Sequence, residues 1–377
     1  NLSKQLSYML QNFNNSLIRT LIGKFWAIKI TIFVLLLSLF FSFPNIGSGD
    51  TGALSARAMA VQYQIDDLDA FWRTSEPTNA MFRITVPLIA KILALNLRGT
   101  RYLQFLTGVF IFMLTALITE RETGDRLLAF YLTALVGLIY PGCAAFLEGR
   151  FYFDSFAYLF LLSAIWFRSP ILIGGFILLA GFTDERAIIA SGFVFLWWGI
   201  QNGDEYWKVK SYFNSRSLSV VFSLIIYISI RIFLQQHYGI QTWSEEHNEF
   251  LLFDQINNFP MGLWTGLEGG WLIITLALLA VVIRKRWIPL AIFVLILSIQ
   301  SIAAGAVVDI TRSMGYLLPG LFVGFLLLIK ENEIHLRRIV IIACLISLIS
   351  LNYGAGGKSS IWLFYPLPVQ IIRWLFL

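Results

Sequence analysis

The sequence predicts an all-α polytopic membrane protein of about eleven transmembrane helices, with a cytoplasmic N-terminus and a surface helix in the first outer loop. Three observations predict it. Of 377 residues, 58% are hydrophobic and only 13% charged, with a mean hydropathy of +0.73, which leaves too little polar surface for a soluble domain of this length. The stretches Ile30–Phe43, Leu103–Thr119, Trp271–Ile283 and Ile288–Ala306 are apolar around the whole helix, with no polar face turned to water. None alternates with period two, so the backbone that lipid forces to pair internally must pair within helices and not around a barrel.

The elements follow in order. The first span, read at 26–43, is preceded by Lys4, Arg19, Lys24 and Lys29 and has no small-residue cleavage site after Phe43, so it reads as a retained span and not as a signal peptide. Further spans are read at 102–119, 127–146, 155–168, 170–183, 187–200, 217–234, 261–283, 287–306, 315–330 and 337–353. The connections at Ser169–Pro170 and Thr183–Arg186 are so short that they require tight helical hairpins. Phe82–Leu97 is apolar but carries Arg83, Pro87 and Lys91, the pattern of a helix lying on the membrane surface.

Charge sets the orientation. With Phe82–Leu97 on the surface, the N-terminal side holds 16 of the 28 basic residues and seven acids, and the opposite side 12 bases and 15 acids. Making that segment a span would send the Arg284–Arg286 cluster and Arg337–Arg338 outside, against the positive-inside tendency. The net charge of +6 is therefore the cytoplasmic surplus of Lys and Arg, not a nucleic-acid signal. The two cysteines, Cys143 and Cys344, lie far apart and define no metal or redox site.

The same orientation gathers the ionisable residues that flank apolar runs on the outer face. These are Asp50 after the first span, Glu148, Arg150 and Asp154 between spans three and four, and Asp184, Glu185 and Arg186 between five and six. Asp309 and Arg312 join them between nine and ten. Ionisable groups at such depth are costly and mark function. The long outer loops are Pro44–Arg101, with Asp66, Asp67 and Asp69, and Gln235–Pro260, with His237, His247, Glu245, Glu246, Glu249 and Asp254. The aromatic stretch Tyr353–Leu377 reads as an interfacial segment.

Each candidate has a plain structural alternative. Asp50 in Gly-Ser-Gly-Asp-Thr-Gly stands where a general base would, or simply caps a turn. Arg186 and Arg312 have the paired donors that hold a phosphate, yet Asp184-Glu185-Arg186 also makes a hairpin ion pair and Asp309 and Arg312 a local one. Glu148, Asp154, Asp184 and Asp309 would shape such a site or hold a divalent metal. The Glu245–Glu249 group lacks HExxH spacing and reads as solvated charge, as do Arg121, Glu122, Asp125 and Arg126. There is no Walker loop, no GxSxG and no Cys paired with a nearby His.

This plan resembles the lipid-phosphate-dependent membrane glycosyltransferases of the GT-C superfold, which include the protein O-mannosyltransferases and bacterial aminoarabinose transferases. The likeness lies in an Asp soon after span one, surface helices in the first outer loop and a second long loop after span seven. The strings Phe82-Arg83-Ile84-Thr85-Val86-Pro87, Phe153-Asp154-Ser155-Phe156-Ala157, Thr183-Asp184-Glu185-Arg186-Ala187 and Asp309-Ile310-Thr311-Arg312 are similar to strings in uncharacterised bacterial proteins of that superfamily. The resemblance implies one transmembrane domain over 1–377: a GT-C-like module at 26–234 with its first outer loop at 44–101, a second outer loop at 235–260 and C-terminal helices at 261–377. It implies transfer of a sugar from a polyprenyl-phosphate donor to an acceptor on the outer face, in a bacterial cytoplasmic membrane. Asp50 is then the base, with Asp66, Asp67 and Asp69 as rivals, and Arg186 and Arg312 hold the donor phosphate. The implied partners are the lipid-linked sugar and membrane lipid; protein partners are compatible with it. The alternatives are an envelope-polysaccharide polymerase or ligase, and a non-catalytic membrane subunit that shares the fold. A transporter is disfavoured because the charges gather on one face.

Overall fold

The computed structural model describes residues 20–21, 23–42, 51–74, 79–147, 151–240, 253, 255–350, 353–356, 360–363 and 365–376. Asp50, Glu148, Arg150 and the Glu245–Glu249 group lie outside them. The chain is predominantly helical, with one small exception. In order, the helices are α1 (Trp26–Ser42), α2 (Thr51–Asp66), α3 (Leu68–Thr74), α4 (Thr85–Ile92), α5 (Leu97–Thr123), α6 (Arg126–Leu138), α7 (Tyr140–Leu147), α8 (Asp154–Trp166) and α9 (Pro170–Gly181). They continue with α10 (Arg186–Gln201), α11 (Ser215–Tyr238), α12 (Phe259–Leu267), α13 (Gly270–Ile283), α14 (Trp287–Gly305), α15 (Ile310–Met314), α16 (Leu318–Lys330), α17 (Leu336–Ile349) and α18 (Leu367–Phe376). The exception is an antiparallel hairpin, β1 (Tyr353–Gly356) with β2 (Ser360–Leu363), in which Tyr353 faces Leu363.

Among the described residues four helical stretches are long and apolar enough to cross a bilayer: Leu97–Thr123, Ser215–Tyr238, Trp287–Gly305 and Ile310–Lys330. Two bent pairs raise the number to six. α6 and α7 meet at 55°, and α12 and α13 at 91°. Both bends rest on close approach of backbone. A Cβ on Gly142 would lie 1.9 Å from the Val136 carbonyl oxygen, and one on Gly269 equally near that of Ala343, so only glycine fits either place. The segment 82–97 is not one helix: a 3₁₀ turn at Asn79–Phe82 leads into the eight residues of α4, and Leu97 already belongs to α5. Eight residues rise only about 12 Å, far short of a span.

Helix ends are set by local chemistry. Asn96 accepts from Gly99 N to start α5, and Gly124 ends it in the left-handed region. Asp125 caps α6 through the amides of Leu127 and Leu128, and Asn214 caps α11 through those of Arg216 and Ser217. α6, α8, α10 and α16 form the centre, buried on nearly every side, with Trp197, Phe193 and Phe322 fully enclosed. α1, α9, α11 and α14 surround it and turn Phe, Ile and Leu outward, an apolar belt that fits lipid and would not stay dispersed in water. Between helices in lipid no hydrophobic drive remains, so packing and buried polar contacts such as Thr107 Oγ1 to Ser155 Oγ (2.8 Å) hold them together.

The two ends of the bundle differ. At the C-terminal end of α8, Arg121 donates to the Trp166 carbonyl and Arg216 to that of Arg168, while Arg337 pairs with Asp125. Arg286 lies over Trp207 at 3.6 Å, near Glu331. At the other end α8 begins with Asp154, and there the charge is buried.

Candidate functional site

Asp154 opens α8 after two residues in the left-handed region, Phe151 (φ 57°) and Phe153 (φ 61°). Such angles are rare for bulky side chains and persist only where the surroundings hold them. Here they turn Tyr152 and Asp154 into the bundle. The carboxylate is fully buried and accepts from Arg312 Nη2 at 3.0 Å, from Arg312 Nε at close range and from Tyr316 OH at 2.8 Å. Arg186 Nη2 stands 3.5 Å away.

Asp184 occupies the turn between α9 and α10. Its Oδ1 accepts from the Arg186 amide at 3.0 Å and from Arg186 Nε at 2.7 Å, and its Oδ2 from Arg186 Nη2 at 2.7 Å. It therefore caps α10 and forks with that helix's first side chain. Arg83 Nη2 reaches the same Oδ2 at 3.1 Å, and Arg312 Nη2 at 3.6 Å. Burial alone would push this carboxyl up. Arg186, Arg83 and Arg312 outweigh that and hold it well below the usual carboxylate range.

Arg83 arrives from the turn before α4. Thr85 anchors that turn on the C-terminal end of α9, its amide donating to Phe182 O (3.1 Å) and its hydroxyl to Leu179 O (2.9 Å). Arg83 then grips Glu185 with Nη2 at 2.8 Å and Nε at 3.2 Å. Burial lowers its pKa, but Asp184 and Glu185 raise it by more, above the ordinary arginine value.

Arg312 sits in α15, a five-residue turn braced from several sides. Tyr158 OH donates to its carbonyl (3.1 Å), Gln300 to the Ser313 carbonyl (3.0 Å) and Arg186 Nη1 to Ser313 Oγ (2.6 Å). Thr311 Oγ1 meets Thr265 Oγ1 at 2.6 Å and accepts from Ala355 N at 2.8 Å, which ties the C-terminal hairpin to this turn. Asp309 Oδ2 lies 3.5 Å from Arg312 Nη1 and is a quarter exposed.

The structure thus brings Asp154, Asp184, Arg186, Arg312 and Asp309 together from α8, the α9–α10 turn, α10 and α15. Both arginines read as phosphate ligands are already bonded to carboxylates, and each keeps 9% exposure. Sequence reading did not single out Arg57, or assign a site role to Arg83 or to Tyr152, Tyr158 and Tyr316. Arg57 donates to the Phe151 carbonyl at 3.3 Å, and its guanidinium carbon lies 3.8 Å from the Tyr152 ring centre. The Arg312 guanidinium lies 3.6 Å from the same ring. Among the described residues no carboxylate forms an ion pair with Arg57. Burial first, then Arg83 and Arg312, pull its pKa down to about 10, against the opposing pull of Asp154. The two guanidinium carbons on the Tyr152 ring are about 7.5 Å apart or less, which at an effective dielectric of about 20 is a repulsion of about 2 kcal/mol or more. One signal was available: Phe151-Tyr152-Phe153 beside Asp154 is an aromatic run at a charged helix start.

Among the described residues no group of three or more His, Cys, Asp or Glu is arranged to hold a metal ion. Asp154, Asp184 and Asp309 each face guanidinium instead. Comparison with family models, with curated proteins and with solved structures found no match to this chain.

Proposed function

We propose that this chain is a polytopic GT-C-type glycosyltransferase that takes a sugar from a polyprenyl-phosphate donor on the outer face of a bacterial cytoplasmic membrane. The observation that carries the reading is the positive edge at Tyr152, where Arg57 has no carboxylate partner among the described residues and Arg312 shares its ring. A phosphate bridging the two guanidinium groups would remove their repulsion and gain charge-assisted hydrogen bonds. The roles of the arginines divide accordingly. Arg186 is the rivet that holds Asp184, Asp154 and Ser313 in register, while Arg312 keeps one face for the ligand and Arg57 supplies the uncommitted charge. Asp50, which lies just before α2, is the proposed base; α2 also carries Arg57, so one short segment would deliver both base and phosphate ligand. The eleven-span arrangement with the N-terminus in the cytoplasm belongs to the same proposal. It is supported by the arginines gathered at the opposite end of the bundle.

The test is binding and turnover in nanodiscs. The intact protein should retain a polyprenyl phosphate that Arg57→Gln does not retain, and Asp50→Asn should abolish sugar transfer without changing the amount of folded protein. Transfer that survives Asp50→Asn would remove that residue from the mechanism. A second reading, a non-catalytic membrane subunit with the same fold, is favoured by one observation: Arg186 and Arg312 are both paired to buried acids. A stoichiometric partner protein covering Tyr152, together with no retained lipid phosphate, would establish it.

A further inference from the structure

α11 is the least buried of the long helices. Its inward stripe is Ser223, Tyr227 and Leu234, and Phe222, Ile225, Ile228 and Phe233 face outward. Arg231 lies on the edge of that stripe, one turn after Tyr227, and is half-buried. It donates one hydrogen bond, from Nη1 to the Tyr227 hydroxyl at 3.0 Å, and its guanidinium lies 4.3 Å from the Phe82 ring centre. Among the described residues no carboxylate forms an ion pair with it. Glu185 of the charged cluster is held by Nε and Nη2 of Arg83. A guanidinium has five N–H donors, and among the described residues Tyr227 alone accepts from Arg231.

Depth decides what can fill them. The 24 residues of α11 rise about 36 Å, against a hydrocarbon core of about 30 Å. Arg231 is seven residues before the Tyr238 end, so with α11 centred in the bilayer its Cα would lie about 7 Å inside the hydrocarbon edge on that side. An arginine side chain spans about that distance and carries its head to the interface. On that placement the guanidinium is within reach of lipid phosphate, at the half-buried edge between the inward stripe and the outward face of α11 and beside the Phe82 ring.

We infer that Arg231, with Tyr227 and Phe82, holds the phosphate of an anionic bilayer phospholipid in the notch between α11 and the turn before α4. This site is separate from the positive edge at Tyr152 and does not depend on the proposed transfer reaction. The guanidinium fork takes two phosphate oxygens and the Phe82 ring screens its other face. Because the same chemistry would also suit the phosphate of a lipid-linked donor, the two sources must be separated by experiment.

The experiment is native mass spectrometry of the delipidated, full-length protein in detergent, titrated separately with phosphatidylglycerol, phosphatidylcholine and polyprenyl phosphate. Wild type should bind phosphatidylglycerol about tenfold more tightly than phosphatidylcholine, and Arg231→Gln should erase that preference. Arg231→Lys should keep part of it, since the charge remains and the fork is lost. Arg57→Gln should leave phosphatidylglycerol binding unchanged while weakening polyprenyl phosphate. Equal wild-type affinity for the two phospholipids, or an Arg231→Gln protein that keeps the preference, overturns the inference. A loss confined to polyprenyl phosphate in Arg231→Gln also overturns it and reassigns the residue to the donor. If Arg231→Gln cannot be purified, Arg231→Lys decides: a preference equal to wild type contradicts the fork. If Arg57→Gln leaves polyprenyl phosphate binding intact, the proposed donor site fails and the phospholipid site stands.

Discussion

Replacing Asp154 by Asn removes one negative charge from a place where two guanidinium groups and a phenol converge. Asp154 accepts from Arg312 through two nitrogens, from Tyr316 OH at 2.8 Å and from Arg186 at 3.5 Å. An asparagine keeps one acceptor and turns an NH₂ group toward donors that cannot receive it. Breaking a buried charge pair from one side costs about 3–5 kcal/mol. Arg312 retains Asp309 at 3.5 Å and Asp184 at 3.6 Å, so the lower end, about 3 kcal/mol, applies. At about 2 °C per kcal/mol for a chain of this size, the midpoint of thermal aggregation in detergent should fall by about 6 °C. The partner change sharpens the test. Asp154→Asn with Arg312→Gln removes both charges, and the double variant should lose at least about 1 kcal/mol less than the two single losses combined. Strict additivity would show that the two side chains do not share an energetic unit, and would refute the reasoning.

The other predictions concern single residues. Arg57→Gln should leave the thermal midpoint unchanged or slightly raised, because it removes a cation that no carboxylate among the described residues pairs, while binding of polyprenyl phosphate falls by about tenfold or more; a stability loss like that of Asp154→Asn would mean that Arg57 is structural. Asp184→Asn should cost about 3 kcal/mol. Its carboxyl is held below its ordinary value of about 3.9, so its contribution is complete above that pH and disappears only as pH falls through the lower folded value. The wild-type to Asn difference should therefore be flat from about pH 8 to about pH 5, and a difference that shrinks across that window would contradict the assignment. Gly269→Ala would set a Cβ 1.9 Å from the Ala343 carbonyl oxygen, so α17 must shift, with a loss of about 1–3 kcal/mol in thermal stability; an unchanged midpoint would show that the elbow yields freely.

Much of the helical architecture is visible in the chain because lipid imposes a simple rule. A segment such as Trp271–Ile283, apolar on every side, has no soluble alternative, and Pro170 marks a helix start that the structure keeps. The sorting of arginines was visible too, since Arg121, Arg216, Arg286 and Arg337 gather at one end. What the periodicity hides is shape within an apolar run. The 91° elbow between α12 and α13 depends on a backbone contact at Gly269 that no local pattern encodes. The C-terminal hairpin escaped notice for a similar reason, since Tyr353–Gly356 is held by Ser360–Leu363 and by Thr311, far away in sequence.

At the site, the embedded charges pointed to Asp154, Asp184, Arg186 and Arg312 because ionisable groups beside apolar runs stand out. Their mutual pairing could not be read from spacing: Arg312 and Asp154 are 158 residues apart. Arg57 was missed because α2 looks unremarkable in composition and nothing nearby in sequence shows that it packs on Tyr152. Arg83 was noticed only as part of a surface helix, although its contacts lie on the α9–α10 turn.

The most direct test of the central claim is a high-resolution map of the protein in nanodiscs with added polyprenyl phosphate, inspected at Tyr152. Phosphate density bridging Arg57 and Arg312, with an isoprenoid chain leaving toward the bilayer and Arg186 still locked on Asp184, is the predicted result. A dry, closed edge at Tyr152, or a partner chain lying across it under the same conditions, would contradict it.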